Sequence, residues 1–90
     1  MAGFFQDSLK LLSKTLVHIN NEKDMENFLS DLLTPQEIVD IADRINIIKL
    51  LKRWKTQRDI AEEIWISITT VNRGSRVLKY GTGSADKYIN

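Results

Sequence analysis

Ile68, Thr69, Thr70, Asn72 and Arg73 place hydroxyl, amide and guanidinium groups close together, beside one apolar side chain. That mixture suits base edges and phosphates in a nucleic-acid groove. Such groups can read a groove only if a rigid element presents them. The stretch TQRDIAEEIWISITTVNRGSRVLK, residues 56–79, predicts that element as two short helices joined by a tight turn. Ile60, Ala61, Ile64, Ile66 and Val71 take the inward positions, and the small Ala61 lets the helices approach. The pattern is that of a helix-turn-helix, with a plain amphipathic helical hairpin as the alternative.

Charge supports the first reading. The 90 residues carry a net charge of only +1, but it is unevenly spread. Residues 1–43 hold three basic side chains (Lys10, Lys14, Lys23) against eight acidic ones, whereas residues 44–79 hold nine basic against three acidic. A basic half coinciding with the paired helices is the footprint of a phosphate-contacting face, because neutralising phosphates releases condensed counterions.

Other function classes find little footing. The absence of cysteine removes thiol chemistry, disulfides and Cys-based zinc sites. His18 is the single histidine, no Ser-His-Asp set is evident, and Gly81-Thr82-Gly83 follows a helical pattern where a phosphate loop would precede one. An enzyme, a metal site and a resident cofactor are therefore not expected. No apolar run approaches the roughly 18 residues of a membrane span, and no signal-peptide pattern opens the chain, so a cytoplasmic protein is expected.

The remaining sequence reads as five to six helices in one domain, with no strand. In residues 4–19, Phe4, Phe5, Leu9, Leu12, Leu16 and Ile19 recur at spacings of three and four, and Leu11 and Val17 widen the stripe. So broad a face on so short a chain predicts a helix clasped between two subunits. Asn20 and Asn21 break the pattern before a second helix at residues 25–33, with Met25, Phe28, Leu29, Leu32 and Leu33. Thr34-Pro35-Gln36-Glu37 predicts a capping box with proline in the first turn. The helix it opens should run to about Arg53, with Ile38, Ile41, Ile45, Ile48 and Leu51 inside and Ala42 at a close crossing. Trp54 and Lys55 form a link, and Thr56 and Ser67 cap the paired helices. Gly81 and Gly83 end regular structure, leaving residues 82–90 mobile or lightly docked.

Leu32-Leu33-Thr34-Pro35, Arg44, Thr56-Gln57-Arg58, and Ile68-Thr69-Thr70-Val71-Asn72-Arg73-Gly74-Ser75 with Leu78-Lys79 occur in an order and at spacings that resemble the Trp repressor superfamily. The resemblance covers about residues 25–80. It implies an all-helical intertwined homodimer that represses transcription when L-tryptophan is bound. Carried onto this sequence, the corepressor set falls on Thr34, Arg44, Arg73 and Gly74, with main-chain carbonyls near Asp31 and Leu33. Two guanidinium planes can sandwich an indole while one neutralises its carboxylate. The resemblance also gives Gln57 and Arg58 to DNA, Arg58 as a guanine contact, together with residues 68–70, Asn72 and Arg73.

The sequence departs from that pattern in three ways. Val77 stands where the family offers a serine hydroxyl to the ligand's amino group. Trp65 occupies the turn position where glycine is usual. Residues 74–83 also resemble a glycine-tailed branch of the superfamily whose ligand is not established, and the family's last helix is absent or rudimentary. The expected organisation is a dimerising segment at 1–33, a core helix at 34–55, a helix-turn-helix at 56–80 and a tail at 81–90. Its expected partners are double-stranded operator DNA, a second copy of the chain and an amino-acid effector, with no membrane partner. The alternatives are a regulator of the same fold with another effector or none, and a helical interaction protein that does not bind DNA.

Overall fold

Helix starts in this chain are made by the hydrogen bonds their capping residues can form. In the computed structural model, which describes residues 2–53, 56–64 and 67–90, the Thr34 N–H donates to Glu37 Oε1 at 2.8 Å and the Glu37 N–H to Thr34 Oγ1 at 3.1 Å. This reciprocal box satisfies two amides that have no intrahelical partner. Thr56 Oγ1 accepts from the Asp59 N–H at 3.0 Å and Ser67 Oγ from the Thr70 N–H at 3.2 Å. Asn21 Oδ1 caps in the same way, accepting from the Asp24 N–H at 2.8 Å, so the second helix starts three residues earlier than its apolar pattern suggests.

The described residues form six helices and no strand: α1 (Ala2–Leu16), α2 (Glu22–Leu32), α3 (Pro35–Lys52), α4 (Gln57–Ile64), α5 (Ile68–Tyr80) and α6 (Ser84–Tyr88). The expectations for Trp54, Lys55, Trp65 and Ile66 fall outside these residues. The chain divides into two compact units, residues 1–38 and 39–90, with α3 running through the division.

In the first unit α1 stops at Leu16, short of the expected Ile19, and Val17 to Ile19 continue only as turns. The apolar stripe is real but is not buried within one chain. Phe4 is 76% exposed, and Phe5, Leu9, Leu11, Leu12 and Val17 are exposed as well. α2 buries no residue either. Two short helices offer each other too little cover, and an open apolar groove of about 210 Å³ lies between them, lined by Leu11, Leu12, Thr15, Leu16, Phe28 and Leu32.

The second unit holds the core. Ile47, Ile60 and Val71 are fully buried, one each from α3, α4 and α5, with Leu50 beside them and Leu51, Ala61 and Ile64 packed against the cluster. Each such side chain stabilises by about 1.5–3 kcal/mol relative to exposure. The expected inner face of α3 needs correction: Ile41 and Ile45 are exposed, Ala42 is exposed, and Ile47 and Leu50 join Ile48 inside. Apolar residues occur on nearly every side of α3, so periodicity alone does not select the buried side.

Gly81 closes α5, its N–H donating to Val77 O at 3.0 Å. Gly83, at φ +95°, takes a left-handed conformation that glycine adopts without strain and opens α6. The tail is thus a short helix, docked by charge rather than by apolar burial. Lys52 Nζ donates to the carbonyls of Asp86 and Ile89, both at 2.6 Å, and lies 3.2 Å from Asp86 Oδ1. A cation at a helix C-terminus is favourably placed against the free carbonyls. Lys52→Met should release α6. Hydrogen bonds to a charged group contribute about 1.5–3 kcal/mol, so the Lys87 and Ile89 amides should exchange with solvent at least about tenfold faster, while amides of Ile60 and Val71 keep their protection.

Candidate nucleic-acid interface and effector cleft

The way α5 lies on its neighbours is set by Gly74. A Cβ built there would overlap Ile47 Cγ2 and sit 3.3 Å from Ile47 Cβ, so only glycine lets this helix come so close to α3. Ser75, next along the buried side, is 8% exposed and accepts from Gln57 Nε2 at 3.3 Å, which satisfies a polar group inside the packing. With Val71, Gly74 and Ser75 turned inward, the 3.6-residue period leaves α5 two working flanks.

One flank faces α3. Thr70 and Arg73 line a cleft of about 170 Å³ together with Asp40, Asp43, Arg44 and Ile47. The four α3 residues follow i, i+3, i+4, i+7 spacing and form one stripe of that helix. Ile47 makes an apolar floor, Asp43 is half-buried, and Arg44 and Arg73 are exposed at the rim. The Thr70 hydroxyl is also 2.8 Å from Ser67 Oγ. Val77 lies one turn beyond Arg73, half-buried, and Gly74 sits under the cleft against Ile47. Of the residues expected to bind an effector, Arg44 and Arg73 thus meet in one cavity. Asp31, Leu33 and Thr34 belong to the first unit, where the Leu33 N–H donates to Leu29 O and the Thr34 hydroxyl caps α3.

The other flank faces outward. Thr69 and Asn72 are exposed, and Ile68 is 46% exposed at the start of α5. Arg58, on α4, has its side chain 86% exposed and lies 3.6 Å from Glu62, a surface pair of little energetic weight. A shallow groove of about 290 Å³ runs along Gln57, Asn72, Ser75, Arg76, Lys79 and Tyr80, with the Arg76 guanidinium carbon 5.9 Å from the Tyr80 ring centre. Arg76 and Lys79, two of the nine basic residues of 44–79, lie along this groove although the expected DNA-contacting set lacks them. The signal was present, since Asn72, Arg76 and Lys79 follow i, i+4, i+7 spacing. Thr70, expected among the groove-facing residues, also lines the α3 cleft.

Comparison with known proteins turns on the same region. The sequence model of the Trp repressor protein family matches residues 7–90. The chain belongs to the Trp repressor family. A Trp operon repressor homolog from Chlamydia trachomatis serovar D is 40% identical over 76 residues, which cover 83% of this chain and 77% of that protein. One from Xylella fastidiosa is 33% identical over 75 residues, 82% of each. Among solved structures, a TrpR like protein from Eubacterium eligens superposes with a TM-score of 0.82 at 27% identity, covering 90% of this chain and 84% of that one. As a Trp repressor family member the chain is a regulator and not an enzyme. No helix among the described residues is long and apolar enough to cross a membrane.

The Gly74–Ile47 contact yields a test with opposed terms. Alanine is the better helix former by about 1 kcal/mol, but overpacking a close contact costs about 1–3 kcal/mol. Gly74→Ala should lower stability in urea unfolding, and Gly74→Val should lower it further.

Proposed function

We propose that this Trp repressor family member is a sequence-specific DNA-binding repressor, active as a homodimer and controlled by L-tryptophan as corepressor. The observation that carries the reading is the meeting of Arg44 and Arg73 in one cleft on the α3 flank of α5. An indole between two guanidinium planes gains stacking and cation–π energy, and its carboxylate gains a charged partner. Gly74 and Val77 on α5 and the Thr34 hydroxyl with carbonyls near Asp31 and Leu33 complete the proposed ligand set. On the opposite flank Gln57, Arg58, Ile68, Thr69, Asn72 and Arg76 face the operator, with Thr70 and Arg73 bridging the two roles.

The same reading divides the labour along the chain. Residues 1–33 carry the exposed apolar stripes of α1 and α2, which a second copy covers. Residues 34–55 supply the core helix, 56–80 the reading unit and 81–90 the tail. The protein acts where DNA is accessible, in the cytoplasm. Dimerisation ties stability to concentration, so the unfolding midpoint should rise with protein concentration. A folded monomer at all concentrations in sedimentation would overturn the dimer.

Two measurements test the DNA and effector assignments. Arg58→Ala should weaken binding to a specific duplex by about 1–3 kcal/mol with blurred discrimination at one base pair, whereas Arg76→Ala should weaken all sequences alike and reduce the salt slope by about 1. Calorimetric titration with L-tryptophan, with and without operator-like duplex, should show each ligand tightening the other by the same factor. Val77 favours a second reading, an effector other than tryptophan. It lacks a hydroxyl whose hydrogen bond is worth about 0.5–1.5 kcal/mol, so Val77→Ser should tighten tryptophan binding. DNA binding without any tryptophan binding at millimolar concentration would select the second reading.

A further inference from the structure

We infer that α6 is a displaceable mask: its oxygens occupy Lys52 as the backbone phosphates of a DNA duplex would, so the tail and the duplex compete for one cation. The inference rests on the proposed DNA-binding reading and adds a regulatory contact to it. An ammonium group has three protons to donate. Three tail oxygens surround that of Lys52, the carbonyls of Asp86 and Ile89 at 2.6 Å each and Asp86 Oδ1 at 3.2 Å. A charged carboxylate oxygen beside two carbonyls at a helix C-terminus gathers negative potential at one point, as a phosphate does. While α6 is docked, Lys52 has little left to offer DNA.

The clasp stands beside the proposed reading surface. Lys52 precedes Gln57 by five residues and α6 begins four residues after Tyr80, and Gln57 and Tyr80 both line the shallow groove along the outer flank of α5. Five residues span at most about 18 Å, so the clasp borders that groove. Lys49 and Arg53, exposed at the same end of α3, carry the basic surface up to it. The mask is also lightly held. Of residues 81–90 only Ala85 and Ile89 are even half-buried, and the entrance to α6 depends on Gly83 at φ +95°. Little apolar burial is lost when the tail leaves, and a phosphate restores the oxygens that Lys52 gives up.

The test uses the full chain, a random-sequence duplex at low salt and two variants, both checked for folding by circular dichroism and urea unfolding. Gly83→Val opens the mask without changing charge, because a β-branched residue is strained at positive φ. Lys52→Met opens it and removes the cation. Gly83→Val should bind the duplex at least about threefold more tightly than wild type. Lys52→Met should bind no more tightly than wild type, with a salt slope smaller by about 0.9, the share of one phosphate. Saturating duplex should speed exchange of the wild-type Lys87 and Ile89 amides, which donate to the Gly83 and Ala85 carbonyls, at least about fivefold, while Ile60 and Val71 keep their protection. Equal tightening by both variants overturns the inference, since a tail that merely stood in the way is removed by either. Tail amides that keep their protection in the complex overturn it too, as does Gly83→Val binding like wild type or an unchanged slope in Lys52→Met; in each case DNA binding itself stands. No duplex binding by wild type or by Gly83→Val overturns the inference and the DNA-binding reading together.

Discussion

The contact between Gly74 and Ile47 is the constraint on which the second unit depends. Because residue 74 has no Cβ, α5 lies against α3 closely enough for Val71 to join Ile47 and Ile60 in one core. The same approach brings Arg73 to the stripe that bears Arg44. Packing and the lining of the cleft are therefore set by one missing methyl group. Glycine inside a helix ordinarily costs about 0.5–1 kcal/mol, which here is offset by burial that a larger residue would prevent.

A helix held in this way can connect two events without a long pathway. Its inner flank lines the cleft and its outer flank carries Asn72, Arg76 and Lys79. In the proposed mechanism a ligand bound across α3 and α5 favours one pose of α5, and the outer flank moves with it as part of the same rigid rod. The available shift is limited to the ligand's difference in affinity between poses.

What was legible in the sequence follows from how local each signal is. The Thr34–Glu37 box and the Thr56 and Ser67 caps involve residues three apart and appear as expected. Ile60 and Val71 sit inside as their spacing implies. α3 was harder to read, since its apolar residues surround the axis and only tertiary packing selects Ile47 and Leu50 over Ile41 and Ile45. Nothing local in the sequence sets Asp40 and Asp43 apart from other acids near Arg44; their place in a cavity depends on Thr70 and Arg73 of α5, about thirty residues away in sequence. The docked tail was hidden for the same reason, because Lys52 reaches carbonyls rather than an apolar partner.

The Lys52 clasp also closes a chain loop. Its partners Asp86 and Ile89 are 34 and 37 residues further along, so one ammonium group brackets the whole segment that contains α4 and α5. Closure entropy grows only as about (3/2)RT ln n, so a loop of this length is little dearer to tether than one half as long. When α4 and α5 loosen from the core, the tether keeps them at high effective concentration for re-docking. Unlike a covalent staple, this one is electrostatic and lies near the surface, so its grip weakens as ionic strength shortens the Debye length. Salt thereby acts on α4 and α5 through the freedom of their own chain, a route separate from the phosphate contacts proposed for them.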